Sequence, residues 1–176
     1  MSDMWGISCL TDSPPSGRSP VTAETTVASA NRDVVVHSLT NYASLAVVGG
    51  EHTVVIDEPR EFDGDGTAPN PFGLVLSALG GCMAGTLRGV ARQGGFEYDD
   101  ATIRLSLRVN RPTSGPLDPG ERELRISRII AEVTVRGDLT AEQQDALRQG
   151  IETCPVGNTL RRALNLQESV AFEVAA

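Results

Sequence analysis

Aromatic residues are scarce: the chain of 176 residues holds 1 Trp, 2 Tyr and 4 Phe. Its core must therefore be assembled from Val, Leu, Ile and Ala, with few large anchors. No stretch is rich in Lys or Arg, and the formal net charge is −8 with a pI near 4.7. Contact with phosphate backbones needs a basic face, so nucleic acid is not an expected partner. The same charge disfavours an anionic membrane surface. No run of about 18 apolar residues occurs, so no membrane-spanning helix is expected. The first twenty residues have neither the charged start nor the apolar middle of a secretory signal, and the expected location is the cytoplasm. Cysteines are limited to Cys9, Cys82 and Cys154. In a cytosolic chain these do not make a disulfide framework, and a pair among them would be catalytic rather than structural.

Length and composition fit one domain with a real core. Residues 1–22 form a Ser-, Pro- and Gly-rich arm, as in Ser13-Pro14-Pro15-Ser16-Gly17, which can bury little on its own. The domain proper is expected over residues 23–176. Its first part is strand-like. The β-branched runs Thr25-Thr26-Val27, Val34-Val35-Val36, Leu45-Ala46-Val47-Val48 and Thr53-Val54-Val55-Ile56 are separated by turn residues such as Asn41 and Gly49-Gly50. A polar loop follows, from Glu58 to Pro69. Asn70 and Pro71 then cap and open a long apolar helix, which Gly94-Gly95 ends. Within it Gly81, Gly85 and Gly89 recur every four residues, which suggests that another backbone packs closely there.

Ala101 to Val109 alternates as a half-buried strand, and Arg111 to Gly120 is a Pro-rich loop. Leu124 to Val135 reads as a second long strand with a bulge near Arg128. Thr140 opens one helix and Cys154-Pro155 another, and Val170 to Val174 closes as a strand. The order predicts an α+β fold, an antiparallel sheet packed with a long central helix.

The chemistry-bearing residues are few. Cys82 lies inside the long helix, where it is either a small core thiol or a reactive one. Cys154 stands at a helix start, where backbone N–H groups and the helix dipole favour a thiolate; the alternative is an ordinary capping residue. Cys9, in the arm, is incidental. A metal site is not indicated: C-x-x-C is missing, and the two histidines, His37 and His52, fall in strand patterns. The run Asp63-Gly64-Asp65-Gly66 lacks the spacing and closing Glu of a calcium loop. Nothing calls for a cofactor.

Two segments resemble known motifs. Gly66-Thr67-Ala68-Pro69-Asn70-Pro71-Phe72-Gly73-Leu74-Val75-Leu76-Ser77-Ala78-Leu79-Gly80-Gly81-Cys82 resembles the first-cysteine motif of the OsmC/Ohr family. Cys154-Pro155-Val156-Gly157-Asn158-Thr159-Leu160 resembles the second. Gly50-Glu51-His52 and Asp57-Glu58-Pro59 look like the branch named after bacterial YhfA.

The resemblance implies an OsmC-like fold in an interwoven homodimer with two active sites near its interface. It also implies a peroxidase for organic hydroperoxides. Cys82 would be oxidised to a sulfenic acid, Cys154 would close a disulfide, and a small thiol or lipoyl-type dithiol would reduce it. The family activates its first cysteine with an Arg held by a Glu. Here Phe72 or Gly73 occupies the Glu position, and the Arg position falls near Glu61, with Arg60 the nearest candidate. Arg60 is otherwise a solvated loop charge. Glu58 or Glu61 could replace the family Glu. The alternative is a non-catalytic relative that binds a small apolar ligand, or senses redox state, at the same cleft, lined by Phe72, Leu74 and Met83.

Overall fold

β-Branched residues dictate the first three strands. β1 (Val34–Ser38), β2 (Ser44–Val48) and β3 (His52–Ile56) form an antiparallel meander in that order. The β2–β3 connection turns through Gly49 and Gly50, both at positive φ, where a side chain would be strained. The computed structural model describes residues 33–110 and 125–174. The arm over 1–22, the strand expected at Thr25 to Val27 and the Pro-rich loop lie outside them.

The long helix is present as α1 (Pro71–Gly94). Its signals act as read: the Asn70 side chain accepts the Gly73 N–H at 2.9 Å, Pro71 occupies the first turn, and Gly95 closes the helix at φ +68°. Leu79, Met83, Leu87 and Ala91, spaced four apart, are buried. Each large side chain there contributes roughly 1.5–3 kcal/mol by leaving water.

Two further strands follow, β4 (Asp100–Asn110) and β5 (Arg125–Arg136), paired antiparallel. Their register slips where Arg108 pairs with Arg128 but Val109 pairs with Ile126. Ser127 is thus the extra residue of a bulge, beside the expected position. Then come α2 (Ala141–Glu152), α3 (Pro155–Ala163) and β6 (Asn165–Glu173). β6 begins earlier than Val170 and joins the far edge of β5 in parallel, because α2 and α3 form a crossover that returns the chain to the same end of the sheet.

The core lies between this second sheet and the helices. Ile129, Ala131, Val133 and Val135 of β5 meet the apolar line of α1, together with Leu147 and Ile151 of α2. The architecture is α+β with a long helix, as the sequence predicts; the pairing is antiparallel throughout except between β5 and β6. By length and composition α1 is apolar enough to cross a membrane, although no unbroken apolar run marks it in the sequence. In this fold its apolar line is spent on the core.

One expectation is not met within the described chain. Gly81, Gly85 and Gly89 have no atom within contact of where a Cβ would sit. They are offset by two residues from the Leu79–Met83–Leu87 line, about 200° around the helix. They therefore face away from the core, and among the described residues no backbone of the same chain packs there.

Candidate active site

The packing of α3 against α1 brings Cys154 to Cys82. Cys154 is the N-cap of α3, followed by Pro155 in the first turn. Its Sγ accepts the Gly157 N–H at 3.5 Å, using one of the unsatisfied donors of a helix start. Cys154 is fully buried, while Cys82 is partly exposed and packs at the edge of the core. Both thiols are free.

The electrostatics of Cys154 differ from the expectation. Its position favours a thiolate, yet its pKa is raised. Burial is the largest cause, because a desolvated thiolate is costly. The Cys82 side chain adds to this, as a hydrogen-bonding partner and through its charge. The N–H groups of Gly157 and Val156 pull the other way and lose. The proton is thus held on Cys154, in contact with a more accessible Cys82.

Arg60 is not brought to the cysteines. It begins a single 3-10 turn, Arg60–Phe62, and its Nε donates to the Asp65 carbonyl at 3.0 Å. Among the described residues no hydrogen bond or ion pair joins it to Cys82 or Cys154, and neither Glu58 nor Glu61 forms an ion pair with it.

The loop that carries Arg60 is ordered by Asp57, whose role sequence reasoning missed. This carboxylate has no exposed surface. Oδ1 accepts the N–H groups of Glu58 at 2.8 Å and Asp65 at 3.4 Å, and Oδ2 accepts the N–H and hydroxyl of Thr67, both at 2.9 Å. The Thr67 N–H does most to hold its pKa below the usual value, more than burial raises it. Gly64 lets the loop close: a Cβ there would collide with the Glu58 carbonyl.

Also missed were Arg161 and Glu168. Arg161 of α3 forms a two-point ion pair with Glu168 of β6, Nε to Oε2 at 2.8 Å and Nη2 to Oε1 at 3.1 Å. The two side chains are 26% and 15% exposed, whereas the other described ion pairs are at least 48% exposed on both sides. Exposed pairs contribute little, about 0–1 kcal/mol; a shielded fork fixes geometry as well. The Arg161 Nη groups also donate to the Ile151 and Glu152 carbonyls at the end of α2. A signal was available. Alternation over Leu166, Glu168, Val170 and Phe172 puts Glu168 on the core-facing side of β6, and a charge there demands a partner.

His37 and His52 are exposed strand residues of the first sheet. Among the described residues no three His, Cys, Asp or Glu side chains gather as a metal site. Met83 is fully buried, so of the three residues expected to line an apolar cleft only Phe72 and Leu74 are partly open.

A family profile described as OsmC-like protein matches residues 64–169. Similar solved structures include an OsmC-like protein from Mycoplasma pneumoniae, at TM-score 0.64 and 14% identity, covering 82% of this chain and 97% of that one. Another is an organic hydroperoxide resistance protein OsmC from Legionella pneumophila, at TM-score 0.60 and 18% identity, covering 79% and 96%. A third is an organic hydroperoxide resistance protein from Elizabethkingia anophelis, at TM-score 0.60 and 14% identity, covering 80% and 96%. At these identities the likeness is one of fold. Among curated proteins none matches the chain.

Proposed function

The chain belongs to the OsmC-like family, and we propose that it is a cytoplasmic thiol-dependent peroxidase that reduces organic hydroperoxides through Cys82 and Cys154. The observation that carries this reading is the pairing itself: a partly exposed thiol in contact with a fully buried one, 72 positions away in sequence.

Each thiol has a step that suits its surroundings. The Cys82 thiolate attacks the outer oxygen of the hydroperoxide. The O–O bond breaks, the alcohol leaves with a proton, and Cys82 becomes a sulfenic acid. Cys154 then gives up its proton, which the departing hydroxyl takes, and attacks the Cys82 sulfur as a thiolate. The S–O bond breaks, water leaves, and a Cys82–Cys154 disulfide forms. A small thiol or lipoyl-type dithiol restores both thiols by exchange.

Arg60 is proposed as the activator of Cys82, which requires it to come from the second subunit of a homodimer. The open glycine face of α1 and the exposed apolar residues on both faces of the first sheet, Val34 and Val36 on one and Val35 and Val55 on the other, support such a dimer, since apolar surface left open marks an interface.

The reduced protein is treated with one equivalent of cumene hydroperoxide and weighed intact. The expected result is loss of two hydrogens, abolished by Cys82→Ser. Unchanged thiols and no peroxide consumption would sink the reading. They would favour the second one, a ligand-binding or redox-sensing relative, which the confinement of Arg60 to its own loop favours.

A further inference from the structure

Gly157 is buried between two groups that matter. A Cβ at this position would lie 3.4 Å from Arg161 Nη2 and 3.6 Å from Cys154 Sγ. Those distances laid end to end put the guanidinium no more than about 7 Å from the sulfur. Glycine leaves the space between them open, and its N–H donates to the sulfur. The Cys154 charge is also one of the influences on Arg161, after Glu168. Arg161 therefore has three anionic neighbours, permanent ones in Glu168 and Glu152 and a transient one in Cys154.

We propose that the Arg161–Glu168 pair is a positioning device for the Cys154 thiolate, setting which sulfur of the Cys82–Cys154 disulfide is attacked by reductant and which one leaves. The proposal rests on the peroxidase reading for its setting. In the reductive step a thiolate of the reductant attacks Cys82, the more accessible of the two residues. A bond forms between the reductant sulfur and Cys82 Sγ, and the Cys82–Cys154 bond breaks. Its electron pair goes to Cys154, which leaves as a thiolate. The second thiol of a dithiol then displaces Cys82 from the mixed disulfide, and the oxidised reductant departs.

A leaving thiolate departs faster the better it is stabilised. Buried Cys154 has few sources of that stabilisation: the α3 N–H groups and the Arg161 guanidinium. Glu168 from β6 offsets the guanidinium charge, and Cys82 from α1 and Glu152 at the end of α2 complete the charged surroundings. The Ile151 and Glu152 carbonyls at the end of α2 and the Asn158 side-chain oxygen hold Arg161 near the sulfur, while Glu168 sets how much of its charge is left for Cys154.

The opposing roles of Arg161 and Glu168 make the test specific. In a Cys9→Ser background the disulfide is formed with diamide, which needs no hydroperoxide, so failure of the peroxidase reading does not interfere. The disulfide is opened with 2-mercaptoethanol and quenched with N-ethylmaleimide, and peptides are mapped. The expected product carries mercaptoethanol on Cys82 and maleimide on Cys154. The reverse labelling, or no Cys82–Cys154 disulfide with diamide, overturns the proposal.

Reduction by dithiothreitol is then timed in variants. Arg161→Gln should slow it several-fold and raise the Cys154 pKa by about one unit, read from thiolate absorbance in a Cys9→Ser, Cys82→Ser protein. Glu168→Gln should do the opposite, because the guanidinium is no longer neutralised. A merely structural pair would move both variants the same way, and that result overturns the proposal. Arg161→Lys keeps the charge and should lie between wild type and Arg161→Gln; should either Gln variant fail to fold, its rate and the labelling of the wild-type chain still decide.

Discussion

Cys154 is fully buried against Cys82, and the contact helps to keep the proton on Cys154. The position at the start of α3 and the burial oppose each other, and burial prevails. This division of exposure and proton between the two thiols has direct consequences.

Replacing each cysteine should separate the two oxidative steps. Cys82→Ser should abolish hydroperoxide consumption. Cys154→Ser should leave the first turnover intact and strand Cys82 as a sulfenic acid, seen as a dimedone adduct by mass spectrometry. Loss of the first turnover in Cys154→Ser would contradict the assigned order.

The raised pKa of Cys154 carries a sign for stability. The folded state holds this proton more tightly than the unfolded chain, where a thiol titrates near about 8.5. The contribution is fully present below that value and is lost as pH rises through the folded pKa. Urea midpoints should therefore fall above about pH 8.5, and fall less in Cys154→Ala.

Asp57 has the opposite sign. Its folded pKa is lowered, so its contribution is present above about pH 3.9, the unfolded value, and is lost as pH falls through the folded pKa. Asp57→Asn should destabilise the protein at neutral pH. The gap between the two proteins should narrow in acid, as measured by thermal melting from pH 7 to pH 3.

Thr140 caps α2 in a reciprocal box: its Oγ1 accepts the Gln143 N–H, and the Gln143 side chain accepts the Thr140 N–H. Thr140→Ala should cost about 1 kcal/mol in urea unfolding. Leu87→Ala, in the fully buried line of α1, should cost more, roughly 2–5 kcal/mol.

Much of the fold is written locally. Asn70-Pro71, Thr140 and Cys154-Pro155 announce three helix starts, Gly95 a helix end, and the alternation from Ala101 to Val109 a strand with one buried face. These signals act within a turn or a few residues of their own position, so sequence alone determined them. It also determined the two cysteine motifs and, through them, the family. What only the tertiary structure decided lies between elements distant in sequence. The packing of α3 on α1 sets Cys154 against Cys82 and buries it, which reverses the acidity that its helix position implies. The parallel return of β6 puts Glu168 within reach of Arg161, and the loop folding over Asp57 turns a polar stretch into a fixed one. The chain's sequence cannot state these outcomes locally, because desolvation and ion pairing depend on which surfaces meet, and those surfaces are assembled only when the helices close over the second sheet.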